Sequence, residues 1–160
     1  MFQDLFKPVL IAVALAAGLL FAATALANQR GAPAPINDTY PFAVGEACAF
    51  PIAVTFTGKL KSMFLSGNRI TTIWPKLEMT ITNLVATDKS ITLRGGGTFH
   101  DAVQADGSVL SGNTGHVYFI GGRFGATLYI GNFYVTLPVG GDFSEPVGTF
   151  RQFDLCALVS

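Results

Sequence analysis

Residues 52–57 read IAVTFT, and this stretch decides the fold class. The apolar side chains of Ile52, Val54 and Phe56 alternate with small or hydroxyl-bearing ones. Successive side chains of a β-strand point to opposite faces, so a period of two predicts a strand with one buried face. The same alternation recurs at 77–82 (LEMTIT) and at 132–137 (NFYVTL). The sequence therefore predicts an all-β protein.

Strand-like segments and turn signals fill residues 45–160, which we predict to form a single all-β domain. Asp106-Gly107 lies between two apolar runs and is typical of a hairpin, because both residues tolerate a positive φ. No window shows the 3.6-residue apolar period of an amphipathic helix. We predict an antiparallel meander of about nine to eleven strands. The further segments are 59–65, 69–74, 90–94, 97–103, 108–111, 115–120, 124–130 and 147–154, with turns at 66–68, 87–89, 112–113, 121–122 and 140–142.

The short connections favour a closed or nearly closed β-barrel, because closing an up-and-down meander removes its exposed edges. Glycines within strand-like stretches, such as Gly115 and Gly131, suit the bends of a closed sheet. The alternative is a β-sandwich, which has the same spacing of strands and turns.

The first 27 residues have the organisation of a signal peptide. An apolar run at 9–21 follows a short segment that contains Lys7, and Ala25-Leu26-Ala27 predicts cleavage before Asn28. We therefore expect a secreted, extracellular protein. An uncleaved N-terminal membrane anchor is the alternative, since residues 9–27 approach the length of a spanning helix. Residues 28–44, rich in Pro, Gly and Asn, predict a flexible leader.

The balance of charges argues against polyanionic partners. The chain has 10 Lys and Arg against 10 Asp and Glu, for a formal net charge of zero. Binding to nucleic acid or to anionic lipid usually needs a basic patch. We expect no nucleic-acid partner and no membrane contact after cleavage.

Cys48 and Cys156 lie near opposite ends of the mature chain. Export would place them in an oxidising compartment, where an even number of cysteines predicts a disulfide. Two buried free thiols are the alternative.

No motif for catalysis, a metal or a cofactor stands out in the sequence. His100 and Asp101 are adjacent, so on a strand they point to opposite faces and do not form an acid–base pair. Two histidines without a short metal-ligand spacing are a weak metal signal. The glycines at 95–97 and 121–122 precede strands, whereas phosphate loops precede helices. The sequence favours a binding or interaction protein over an enzyme.

Aromatic residues on the predicted strands are the best candidates for ligand contacts. Tyr118 and Tyr134 lie on the faces opposite the apolar residues of their own strands. A barrel interior lined by aromatic and a few polar side chains could hold a small apolar molecule. The alternative is ordinary core packing with tyrosines facing solvent. The predicted ligand-binding residues are Trp74, His100, His116, Tyr118 and Tyr134.

The stretch 48–59 (CAFPIAVTFTGK) and the terminal 154–158 (DLCAL) carry a resemblance. They resemble small exported bacterial all-β proteins of unknown function that open on a Cys-x-Phe-Pro strand and end shortly after a second Cys. The resemblance covers most of residues 45–160. It implies export and a Cys48–Cys156 pair, and it implies no functional residue.

Three functions remain open from the sequence. The first is a secreted module that binds a small hydrophobic ligand inside a β-barrel. The second is a structural or surface-interaction protein that engages an extracellular protein partner, and its mark would be an exposed apolar patch. The third is a barrel isomerase or cyclase in which His100, His116 or Tyr134 lines the cavity.

Overall fold

The structure, a computed structural model, describes residues 31–160, so the predicted signal peptide lies outside the described residues. Those residues form nine β-strands, a single 3-10 turn (Gly122–Phe124) and one short α-helix, which confirms the all-β prediction. No helix within 31–160 is long and apolar enough to cross a membrane. The strands are β1 (Ala34–Phe42), β2 (Ile52–Leu65), β3 (Arg69–Ile73), β4 (Glu78–Asn83), β5 (Ser90–Arg94), β6 (Gly97–Val103), β7 (Val109–Ile120), β8 (Ala126–Leu137) and β9 (Val147–Asp154), followed by α1 (Leu155–Leu158).

All strand pairings are antiparallel, and the long strand β2 joins two halves of the sheet. The strand order is β5-β4-β2-β3-β6-β7-β8-β9, with β1 on β2 outside this path. Residues 52–60 of β2 pair with β1, and residues 52–57 pair with β4. Residues 61–65 of β2 pair with β3 instead. We call β1, β4, β5 and the start of β2 the first half, and β3, β6–β9 and the end of β2 the second half.

The main core lies where the first half packs against one end of the second half. Ile52 and Val54 of β2 and Ile81 of β4 are fully buried there, against Leu128 of β8. Leu155 of α1 belongs to the same cluster. Burial of each such aliphatic side chain contributes roughly 1.5–3 kcal/mol, so this contact holds the halves together.

A second, aromatic core lies on the other face of β7 and β8. The Phe119 ring stands edge-on to Tyr129, with ring centroids 5.5 Å apart. Phe143, from the connection between β8 and β9, packs on the same ring at 5.7 Å. Such edge-to-face pairs add about 0.5–1.5 kcal/mol beyond burial of their area. We call this side of β6–β8, which also carries Phe99 and Phe133, the aromatic face.

A disulfide joins Cys48, just before β2, to Cys156 in α1, with the two Cα atoms 5.6 Å apart. This pairing confirms the sequence prediction. The helix begins after Asp154, whose carboxylate accepts hydrogen bonds from the backbone N–H groups of Cys156 and Ala157. This cap fixes the helix that carries one half of the disulfide.

The predicted closed barrel is not found among the strand pairings of residues 31–160. The sheet is open, because β5 and β9 end the path and do not pair with each other. Residues of the first half pack into the main core together with Tyr118 and Ile120 of β7, and the sheet does not continue around to meet β9.

A strand also occupies part of the predicted flexible leader. β1 pairs along its whole length with β2, from Ala34 opposite Leu60 to Phe42 opposite Ile52. Pro35 and Pro41 belong to the composition that predicts a leader, but proline is tolerated on an edge strand whose outward N–H groups need no partner.

Candidate functional site

His116 and Tyr118 meet the backbone where β5 ends and β6 begins. The Tyr118 hydroxyl donates a hydrogen bond to the carbonyl oxygen of Gly95 at 3.1 Å. Burial raises the pKa of Tyr118 to about 12. The His116 ring lies so close to Gly95 that an added Cβ would be 2.4 Å from Nδ1. These two side chains, at i and i+2 of β7, therefore share one side of the Gly95–Gly97 segment.

Trp74 meets the same segment from the other side. Its backbone and Cβ lie against Gly96, and its ring stands edge-on to Phe99 with centroids 6.3 Å apart. Successive residues of extended backbone point in opposite directions, so Trp74 and His116 are separated by the chain at Gly95–Gly97. Trp74 Nε1 and His116 Nδ1 are both buried without a hydrogen-bond partner among the described residues.

His100 and Tyr134 lie together in a third place, on exposed strand surface. Both are paired with Gly112 of β7, one from each side, so their side chains flank a position that has none. His100 is exposed, and its Nδ1 is 3.1 Å from the Thr71 hydroxyl. Tyr134 is 47% exposed, and its other cross-strand neighbour, Val147, is 49% exposed. We call the surface formed by His100, Leu110, Tyr134 and Val147 the open face.

The five predicted ligand residues thus fall into three groups, and the structure brings them to no common site. His116 and Tyr118 form one pair, His100 and Tyr134 another, and Trp74 stands apart. The Tyr118 ring packs against Phe56 at the edge of the main core.

The open face borders β9, the last strand of the sheet, whose outer side has no partner strand among the described residues. β9 pairs with β8 alone among the described residues, and only Phe150 of its eight residues is half-buried. The carbonyl oxygen of Thr149 points at β8, because an added Cβ at Gly131 would be 2.2 Å from it. In an antiparallel pair the direction alternates, so the N–H and C=O groups of Phe150 and Gln152 point away from the sheet.

The aromatic face carries a polar cluster that no sequence motif indicates. Asp101 of β6 and Ser111 of β7 are directly paired, and the Ser111 hydroxyl donates to Asp101 Oδ1 at 2.5 Å. Asn113, two residues further along β7, is 2% exposed. Burial raises the pKa of Asp101, which the hydrogen bond from Ser111 and the charge of His100 only partly offset. A carboxyl group on an apolar face is a candidate for binding.

The described residues include no group of three His, Cys, Asp or Glu side chains placed to hold a metal ion. Two arrangements among the described residues are candidates for function, namely the edge strand β9 with the open face, and the polar cluster on the aromatic face. Comparison of the chain with protein-family models, with curated proteins and with solved structures finds no match.

Proposed function

We propose that this is an exported surface-interaction protein that binds an extended segment of another polypeptide along β9. The observation that carries the proposal is that this edge strand is exposed and, among residues 31–160, unpaired on its outer side. Seven of its eight residues are exposed and it contains no proline. A long edge with free N–H and C=O groups is a template for an added strand.

The other edges of the sheet are less suited to strand addition. β1 contains Pro35 and Pro41, which lack the N–H that an added strand needs. β5 is only five residues long and ends at Arg94, whose side chain is paired with Glu78. Short strands, charges and prolines are the usual protections of an edge. Of these devices, β9 has only the charged side chains of Arg151 and Asp154.

The open face supplies side-chain contacts next to this edge. Tyr134 and Val147 are directly paired across β8 and β9, and Leu110 lies on the same face of β7. Exposed aromatic and aliphatic side chains beside a free edge are what strand addition uses in addition to backbone hydrogen bonds. The backbone supplies affinity and the flanking side chains supply specificity.

Peptide selection followed by hydrogen exchange tests this function. Peptides that bind the purified protein are selected from a random displayed library, and amide exchange is compared with and without peptide. We expect slower exchange at Phe150 and Gln152, whose N–H groups point outward. Slower exchange confined to another element, or no selected peptide, would contradict the proposal.

A pair of substitutions at one position isolates the role of the backbone. Gln152→Pro removes an outward N–H without removing a hydrogen bond to β8, and Gln152→Ala removes only the side chain. Peptide binding should be lost in the proline variant and retained in the alanine variant, with similar melting temperatures. Equal binding by both variants would refute strand addition.

A second function, the carriage of a small hydrophobic molecule, is favoured by one observation. Trp74 Nε1 and His116 Nδ1 are buried and lack partners on either side of Gly95–Gly97. A ligand could supply these partners if the sheet closes further into the predicted barrel. Native mass spectrometry would then detect a non-covalent mass that disappears on denaturation, whereas a bare protein mass would count against carriage.

A further inference from the structure

Three polar side chains lie next to one another on the aromatic face, away from β9. Asp101 is paired with Ser111, and Asn113 is paired with Phe99. Ser111 and Asn113 are buried, and Asp101 is partly buried. Diagonal neighbours on one face of an antiparallel pair are roughly 7–8 Å apart, so Asp101 and Asn113 are within reach of one small group.

This cluster has an excess of hydrogen-bond acceptors. The Asn113 amide nitrogen donates to the carbonyl oxygen of Ser111 at 2.9 Å, which fixes the orientation of the amide because a carbonyl can only accept. Its Oδ1 is therefore the buried atom that lacks a partner. The Asp101 carboxylate accepts from Ser111, and it has no Lys or Arg partner among residues 31–160.

Apolar side chains continue from the cluster along the same face of the sheet toward the β2–β3 hairpin. Asp101 is paired with Ile70, which is in turn paired with Phe64, and Val103 lies two residues from Asp101 on the same face. Phe64, Ile70 and Val103 line a depression of about 450 Å³ at the β2–β3 hairpin. A ligand could therefore place an apolar body in the depression and direct a polar end at Asp101.

We propose that Asp101, with Ser111 and Asn113, binds the ammonium group of a small amine whose apolar body lies against Phe64, Ile70 and Val103. An ammonium group has three donors and no acceptor, which complements a carboxylate and an unpartnered amide oxygen. It also compensates the burial that raises the pKa of Asp101. Phe99, paired with Asn113, adds a ring near which a cation is favourable.

One basic side chain lies at the rim of the same depression. Arg69 lines it, and its Nε donates to the backbone oxygen of Ser66 at 3.1 Å. Arg69 is paired with Ala102, so it belongs to the opposite face of the sheet from Asp101. The test therefore includes an anionic probe, which Arg69 would favour and Asp101 would repel.

Binding of octylamine, 1-octanol and octanoate to the purified protein at neutral pH tests the proposal. The three probes share an alkyl chain and differ in the charge of the polar end. Trp74, the single tryptophan of the chain, packs on Phe99 and reports binding by fluorescence. The melting temperature gives a second readout that does not depend on Trp74. We expect octylamine to bind more tightly than octanol, and octanoate to bind weakest.

Asp101→Asn should weaken octylamine binding about tenfold or more, since a hydrogen bond to a charged group is worth about 1.5–3 kcal/mol. Octanol binding should stay within about twofold, because its alkyl burial is unchanged. Asp88→Asn, in the exposed turn before β5, is the matched control for loss of one negative charge. The proposal is overturned if octylamine does not bind, if it binds the parent and Asp101→Asn equally, or if octanoate binds best. None of these outcomes bears on peptide binding at β9.

Discussion

Loss of the Cys48–Cys156 disulfide should destabilise the protein far more than loss of either side chain's packing. The bond joins positions 108 residues apart, so it closes almost the entire described chain into a loop. A cross-link of this span removes much of the conformational freedom of the unfolded chain. Replacing both cysteines with alanine restores that freedom.

The magnitude follows from the loop length. In the chain-entropy relation, a loop of this size lowers the entropy of the unfolded state by about 16 cal/mol/K, which is about 5 kcal/mol at 25 °C. With a urea dependence of about 2 kcal/mol/M, the midpoint of unfolding should fall by about 2.5 M. A marginally stable domain has roughly 5–15 kcal/mol in total, so the variant should be close to unfolding at 37 °C.

Urea denaturation followed by Trp74 fluorescence measures this change, with the single variants Cys48→Ala and Cys156→Ala as controls. Either single substitution breaks the bond, so each should lose most of what the double variant loses. If the two single losses were small and added up to the double loss, the cysteines would act through packing alone. A double-variant loss below about 1 kcal/mol would also refute the entropic account.

Three further predictions concern single side chains. Asp101→Asn should raise the free energy of unfolding at neutral pH, because burial raises the pKa of Asp101 and so disfavours its charged form in the folded chain. The contribution of the protonated carboxyl to stability is complete below the unfolded-state pKa and is lost as pH rises through the folded-state pKa, whereas asparagine stays neutral at every pH. Denaturation at several pH values should show the variant's advantage shrinking toward acid, and a constant advantage would contradict it. Ultraviolet titration should show one tyrosine that ionises near pH 12, and this step should be absent in Tyr118→Phe. If all tyrosines ionise well below that pH, the burial of the Tyr118 hydroxyl is refuted. Gly131→Ala should lower the free energy of unfolding, measured by urea denaturation, by roughly 1–3 kcal/mol or more, because φ is +152° and the new Cβ would lie 2.2 Å from the Thr149 oxygen. An unchanged free energy of unfolding would show that β9 shifts to make room for the methyl group.

Alternation predicted which residues form strands better than it predicted where strands end. The segments 52–57 and 59–65 are one strand, β2, that passes through Gly58. The segments around Gly115 and Gly131 join in the same way into β7 and β8. All three glycines have positive φ, which is typical of turns and also of kinks within a strand. Local sequence does not separate the two, because the difference depends on which backbone approaches the glycine.

The barrel could not be decided from the sequence for a related reason. Hairpin signals fix neighbouring pairs, and the turns at 66–68 and 87–89 lie where they were predicted. The pairing of β2 with β4 skips one strand and the pairing of β3 with β6 skips two, and no local signal in the sequence predicts either pairing. Those two pairings separate the two halves of the sheet, whose residues meet in the main core.

The polar cluster at Asp101 depends on the register between β6 and β7, which the sequence does not show. Asp101 and Ser111 are ten residues apart, and the sequence places Ser111 at the end of the predicted segment 108–111, next to a predicted turn at 112–113 that the structure replaces with continuous strand. Their hydrogen bond exists because Asp101 is paired with Ser111 and not with its neighbour, since a shift of one residue would turn one of them to the other face. The sequence favours His100 as a ligand residue, yet His100 is exposed and the adjacent Asp101 is the one that is partly buried.

The two proposed binding places share a property that distinguishes them from the cores. Asp101→Asn is expected to make the folded chain more stable, and proline or further charge on β9 would protect its edge, so folding stability does not account for the residues present. Residues such as Ile52 and Leu155 have the opposite character, because any smaller side chain there leaves a cavity. Positions whose present residue lowers stability are where function is expected to constrain a sequence. Measuring the stability of Asp101→Asn together with its octylamine affinity therefore tests a single idea. If the substitution stabilises the fold and leaves amine binding unchanged, the carboxylate at 101 has no role that the structure explains.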